Sequence, residues 1–355
     1  MPANFHLTCR FPTAKRNILT SVLLTVVLTV LLTVLLSAIT MAGCAAPSSS
    51  ATSITPNPAG TPFATPVADV AQRVQALLPL DALLLGEQHD APDHQRIHRE
   101  VIEALAARGA LAAVVLEMAM QGNSTASLAN SSSQGSAGAS EDAVRAALKW
   151  DERAWPWASY APAIMAAVRA GVPVLGSNMP RAQMGAAMQQ ANLDQRLNGP
   201  ALKAQQQLIR SGHCNLLPES QISPMTRIQI ARDVAMANTI VQALASSAQT
   251  VSTTRAATPS NPAAATTAVT AITATAPNSS TTASTVVLLA GSGHVDRTLG
   301  VPQHLPPGVK AKSVLLVAGL ASDAGDKAAD FDVVWAAAPV SAKDYCAGLK
   351  AKING

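Results

Sequence analysis

Two copies of one short pattern set a histidine three residues after a glycine: Gly86-Glu87-Gln88-His89 and Gly291-Ser292-Gly293-His294. Imidazole changes charge near neutral pH, so it serves as acid, base or metal ligand. The glycine permits close approach of a ligand or a second backbone. Each pattern ends an apolar run, 82–85 in the first case and 286–290 in the second. Two more apolar runs end the same way. Leu111 to Leu116 stops at Glu117, and Val172 to Leu175 stops at Gly176-Ser177-Asn178-Met179-Pro180-Arg181. His89, Glu117 and His294 form a set suited to a divalent metal, or to acid–base chemistry without one. Asn178 and Arg181 would supply polar and cationic contacts to an anionic group. His94 and His98 lie four residues apart in a pattern superficially like the zinc-protease HExxH. Gln95 stands in place of its essential Glu and cannot act as a general base, so that chemistry is excluded. His98 reads as a solvated helix residue. The turn 291–294 lacks the third glycine and following helix of a dinucleotide-binding fingerprint.

These residues need strands to carry them. Apolar runs predict strands at 82–87, 111–117, 172–177, 286–291, 313–318 and 332–336, and helical periodicity predicts helices at 92–108, 141–149, 158–170 and 224–245, with a helical region at 181–210. Strands alternating with helices imply an α/β fold with a mostly parallel central sheet flanked by helices. The helices between the third and fourth strands exceed what one crossover needs, so they imply a small helical subdomain over the strand ends. In such sheets ligands bind outside the carboxyl ends of the strands.

Aromatic content is low, at 3%, and it concentrates in Trp150, Trp155, Trp157 and Tyr160. Flat apolar walls beside a phenol suit a planar ligand such as a porphyrin, whose iron a tyrosine can hold. Ordinary packing between helices is the alternative.

The first residues carry Arg10, Lys15 and Arg16, then an apolar run from Ile18 to Ile39, then Met41-Ala42-Gly43-Cys44. This predicts a lipoprotein signal peptide over 1–43, with lipid on Cys44 and an outer-membrane sorting pattern. An uncleaved anchor helix is the alternative. Cleavage removes three of 25 Lys+Arg and none of 21 Asp+Glu, leaving a nearly neutral chain without the charge expected of a nucleic-acid binder. Residues 44–66 read as a flexible tether, 67–349 as one domain and 350–355 as a tail. The segments 123–140, rich in Ser, Ala, Gly and Asn, and 246–285, rich in Ala, Ser, Thr and Pro, read as low-complexity surface insertions. In an oxidising periplasm Cys214 and Cys346 are candidates for one disulfide, and two buried free thiols are the alternative.

The motifs at 86–90, Glu117, Trp157 with Tyr160-Ala161-Pro162, 178–181, Arg232-Asp233 with Met236-Ala237, 291–294 and Gly300-Val301-Pro302 resemble the ChaN-like haem-binding lipoproteins of the Tiki superfamily. The resemblance spans about 80 to 305. It implies a haem-binding protein of iron uptake on a parallel α/β core, with Tyr160 in the helical subdomain as iron ligand. It also implies a wall from Trp157, contacts from Asn178 and Arg181, and a haem-linked homodimer whose only membrane contact is the N-terminal lipid. A cation near Tyr160, Arg153 or Arg169, would favour the phenolate. The superfamily also holds metal-dependent proteases and erythromycin-esterase relatives, which implies the alternative of a hydrolase using His89, Glu117 and His294, with or without a divalent metal.

Overall fold

The structure is a computed structural model, and it describes residues 69–130, 135–256 and 284–348. The signal peptide, Cys44, the tether, most of the second insertion (257–283) and the C-terminal tail lie outside the described residues. Six strands form one parallel sheet: β1 (Ala82–Glu87), β2 (Leu111–Met120), β3 (Val174–Asn178), β4 (Thr285–Gly291), β5 (Ala311–Ala318) and β6 (Val333–Ala337). Their spatial order is β3-β2-β4-β1-β5-β6. β1 and β4 lie at the centre and are buried along their whole length, which is why they read as continuous apolar runs rather than alternating ones.

Helices cover both faces. On one face α1 (Val70–Leu77), α2 (Pro92–Ala107), α3 (Glu141–Leu148) and α4 (Trp157–Arg169) pack over Leu83, Leu85, Val114, Leu116, Val287 and Leu289. On the other, α7 (Glu219–Ala256) lays Met236, Ala237 and Ile240 against Leu84, Val115 and Leu288. Fully burying one such Leu or Ile is worth roughly 1.5–3 kcal/mol. Between β3 and α7 come α5 (Met184–Gln189) and α6 (Gly199–Gly212), which with α7 enclose a smaller cluster around Met179, Leu193, Leu197 and Ile230. This is the helical region between the third and fourth strands. Among the described residues no helix is long and apolar enough to cross a membrane.

Three segments differ from the sequence reading, the first being β2, which runs past its expected end at Glu117 to Met120. The start of 123–140 is part of the fold. The Thr125 amide donates to the Val174 carbonyl, its Oγ1 accepts from the Val174 amide, and the Asn123 carbonyl accepts from the Gly176 amide. These bonds satisfy the outer edge of β3, whose donors would otherwise be unpaired. Further on, α7 runs 38 residues and continues through Ala256, into the second low-complexity segment. Cys214 and Cys346 are joined by a disulfide, with Cα atoms 5.6 Å apart and a sequence separation of 132.

Candidate functional site

Register sets the ends of β1 and β4 beside Glu117 of β2. Glu87 pairs with Gly291 across β1 and β4, and Leu116 pairs with Leu289 across β2 and β4, which sets Glu117 beside the same turn. The Gly291 amide donates to Glu117 Oε2 at 2.7 Å. A Cβ at Gly291 would stand 2.9 Å from His89 Nε2, and one at Gly86 would strike Val295. Both glycines are therefore fixed by close approach.

Around this junction the polar side chains form one buried network. Glu87 is 2% exposed. Its Oε1 accepts from His89 Nδ1 at 2.7 Å and from the Tyr160 hydroxyl at 2.6 Å, and its Oε2 accepts from Gln95 at 3.0 Å. Burial alone would raise the Glu87 pKa. The bond from His89, with its charge and the bond from Tyr160, outweighs it, so Glu87 is held below its usual range. His89 Nε2 lies 3.8 Å from Glu117 Oε2, and 40% of the His89 side chain remains exposed. His294 is sandwiched: Nε2 is 3.3 Å from Glu117 Oε1, and Nδ1 is 2.5 Å from Asp233 Oδ1. Burial disfavours its charge, but the two carboxylates overcome it and hold His294 protonated, with a pKa pushed up to about 10. Glu117, despite complete burial, is driven down to about 2, mainly by His294. Burial raises Asp233 to about 6.

The network opens on a cleft of about 560 Å³ lined by His89, Asp90, Glu117, Gln229, His294 and Tyr345 among others. Tyr345 is 56% exposed, and its hydroxyl donates to Asp90. The disulfide at the next residue anchors this C-terminal segment beside the mouth. Trp155 meets His89 edge-on, with ring centroids 4.8 Å apart.

Of the residues singled out from sequence, His89, Glu117 and His294 converge as expected for strand ends. Their bonding suits an ion-pair network rather than a ligand shell. Both His294 nitrogens face carboxylates, which keeps their lone pairs from a metal. Among the described residues no group of three His, Cys, Asp or Glu side chains is disposed to hold a metal ion.

Tyr160 lies elsewhere than expected. It belongs to α4, before β3, and so stands outside the helical subdomain. It is 1% exposed, does not line the cleft and gives its hydroxyl to Glu87. Burial, reinforced by that carboxylate, pushes its pKa up and keeps it a neutral phenol. Arg153 and Arg169 do not govern it, because the ionised group facing it is an anion. Trp157 is also internal: its indole donates to Glu141 and its ring packs on Trp150. His98 is fully buried rather than solvated, and burial pushes it down to about 4. His94 is buried too, accepting the Gln88 amide at Nδ1. Asn178 is 5% exposed, and Arg181 is an outer residue paired with Asp151 at 3.3 Å.

Asp233, Gln95 and Tyr345 were not singled out as site residues. Asp233 carried a signal: it is an acid in the apolar stripe Ile230, Met236, Ala237, Ile240 of a helix, and a buried acid needs a partner. Tyr345 carried none beyond its neighbour Cys346, because its position depends on the disulfide.

A family model described as haem-binding uptake, Tiki superfamily, ChaN matches residues 73–256. A solved structure of cofacial haem binding to ChaN of Campylobacter jejuni is 20% identical. The match covers 70% of this chain and 86% of that one, with a TM-score of 0.49. No curated protein matches the chain.

Proposed function

The chain belongs to the ChaN haem-binding uptake family of the Tiki superfamily, and from that premise we propose that its haem sits in the strand-end cleft with His89 facing the iron. The observation that carries this reading is the His89–Glu87 pair. A histidine that ligates a metal characteristically gives its other ring N–H to a carboxylate, which fixes the tautomer and raises basicity. His89 does this through Nδ1, and its side chain stays 40% exposed with Nε2 3.8 Å from Glu117 Oε2. Haem would supply the redox-active iron and a large apolar face. Trp155 packs edge-on against His89, and Tyr345 lines the cleft, so both supply aromatic surface near it. Tyr160 then acts as a positioning residue: its hydroxyl holds Glu87, and Glu87 holds His89.

The same proposal places the domain in the periplasm, held at the outer membrane by lipid on Cys44, with a haem-linked dimer as the loaded form. Ultracentrifugation with and without haem tests the dimer. Fractionation of Cys44→Ala tests the anchor.

A hydrolase on the same rim has weaker support, because the doubly paired, protonated His294 offers no free base. It would be favoured by hydrolysis that is lost in His89→Ala and kept in Tyr160→Phe.

The decisive test is a haemin titration followed in the Soret and charge-transfer bands, with His89→Ala and Tyr160→Phe alongside. We expect saturable binding that is lost or spectrally changed in His89→Ala and retained in Tyr160→Phe. A tyrosinate-like spectrum that disappears in Tyr160→Phe would move the ligand to Tyr160 and overturn the assignment.

A further inference from the structure

Beside the cleft, across Glu117, lies a second and narrower recess of about 200 Å³. Lys149, Arg181, Arg232 and Asn178 line it together with the apolar walls of Trp155 and Met184. The elements converge from four directions. Lys149 caps α3 in a left-handed conformation (φ 46°), Asn178 ends β3, Arg181 follows it, and Arg232 comes from α7.

The recess has two carboxylates, and both are already engaged. Glu117 is held by His294 and the Gly291 amide. Asp151 pairs with Arg181 at 3.3 Å and accepts the Arg153 amide at 3.2 Å. Lys149 and Arg232 have no carboxylate partner within 4 Å among the described residues. Two buried polar atoms here also lack any hydrogen-bond partner: Arg232 Nε and Asn178 Oδ1. Such orphans are rare in folded proteins and costly, so they point to a missing ligand. The two ends of an Asn amide have the same shape, so Asn178 turned over offers N–H to an incoming oxygen.

The geometry points to a carboxylate-binding subsite in this recess, with Arg232 and Lys149 as the charge partners and Asn178 as a further donor. The occupant is an oxyanion carried on an apolar body that reaches past Trp155. On the haem reading above, on which this identification rests, it is a haem propionate, because the recess adjoins His89 through Trp155 and Glu117. Free phosphate presents the same oxygen chemistry without the apolar body.

The test compares haemin with haemin dimethyl ester, which keeps the iron and ring but masks both carboxylates. It uses the native protein, Arg232→Gln and Lys149→Gln, with inorganic phosphate as competitor. A charge-assisted hydrogen bond of the usual strength makes native protein prefer haemin over the ester by about tenfold or more. That preference should collapse in Arg232→Gln and shrink in Lys149→Gln, an exposed position that serves if the first variant does not fold. Phosphate should weaken haemin binding and leave ester binding alone. Equal affinity for haemin and ester in native protein overturns the subsite, as does a preference that survives both substitutions. If neither porphyrin binds, the haem reading fails by itself. Phosphate calorimetry then decides the subsite separately: binding that Arg232→Gln abolishes upholds it, and no binding overturns it.

Discussion

The two depressions at the strand-end rim share Glu117 as a wall but differ in how their polar groups are satisfied. On the cleft side, Glu87, His89, Glu117, His294 and Asp233 answer one another, acid against imidazole, so the floor is ordered before any ligand arrives. On the recess side, among the described residues, Arg232 and Asn178 keep buried atoms without partners, and Lys149 has no acid. A self-paired network holds its geometry at the expense of lone pairs, whereas an unpaired one holds binding capacity at the expense of stability. The contrast explains why the cleft presents a single accessible imidazole while the recess presents positive charge.

The comparison breaks most visibly at its shared wall. Glu117→Gln removes the anion between His294 and His89 and weakens the acceptor of the Gly291 amide. Breaking a buried pair in this way should cost roughly 3–5 kcal/mol in denaturant unfolding at neutral pH. A loss below about 1 kcal/mol would show that the rim network does not tie the sheet ends together.

The cleft mouth is the next lever. Cys346→Ser opens a loop with a separation of 132 residues, so we expect a loss of about 2–4 kcal/mol in thermal or denaturant unfolding. Faster amide exchange should appear around Tyr345. Reductant should reproduce both changes in native protein and add nothing in the variant.

Behind the cleft, His98 makes the network acid-sensitive. Burial holds it near 4 when folded, against about 6.5 when unfolded, so the unfolded chain takes up its proton first. Stability should therefore fall as pH drops from about 6.5 to about 4, by on the order of 3 kcal/mol. His98→Leu should flatten that slope. His294 has the opposite sign. Raised to about 10, it contributes stability that is complete below about 6.5 and lost as pH climbs through about 10. Equilibrium unfolding across pH 4 to 10 checks both arms, and a native profile flat between 6.5 and 4 would contradict the buried neutral His98.

The smallest expected effect sharpens the contrast between the two tyrosines. Tyr160→Phe keeps the packing of α4 and removes one donor to Glu87, for a loss of roughly 1–2 kcal/mol by denaturation. Tyr345→Phe, at an exposed site, should cost less than about 0.5 kcal/mol.

Much of this was legible in the chain. The strand ends at Glu87, Gly291 and Asn178 follow from apolar runs that stop at polar residues, whereas β2 runs past Glu117 to Met120. A parallel sheet then places all of them on one edge whatever the detailed packing. The helices of the crossovers were readable for the same reason. Three things were not. Thr125 closing the β3 edge was hidden in a segment whose composition suggests a loose loop, because its role depends on backbone donors from a distant strand. The burial of His98 was hidden because helical spacing gives a face but not what covers it. The inward turn of Tyr160 was hidden because an aromatic beside a site packs as readily on one side of a helix as on the other.

The sequence by itself determined the parallel α/β architecture, the family and the set of imidazoles and carboxylates at the rim, since these depend on local periodicity and on motifs short enough to read in order. Only the tertiary structure decided how those groups are used. Whether His294 is free or clamped between Glu117 and Asp233, and which tyrosine meets the cleft, are set by contacts between residues 61 to 257 positions apart, and which cations lack an acid is set in the same way by the fold. Charge pairing acts over a few ångströms of space and takes no account of distance along the chain.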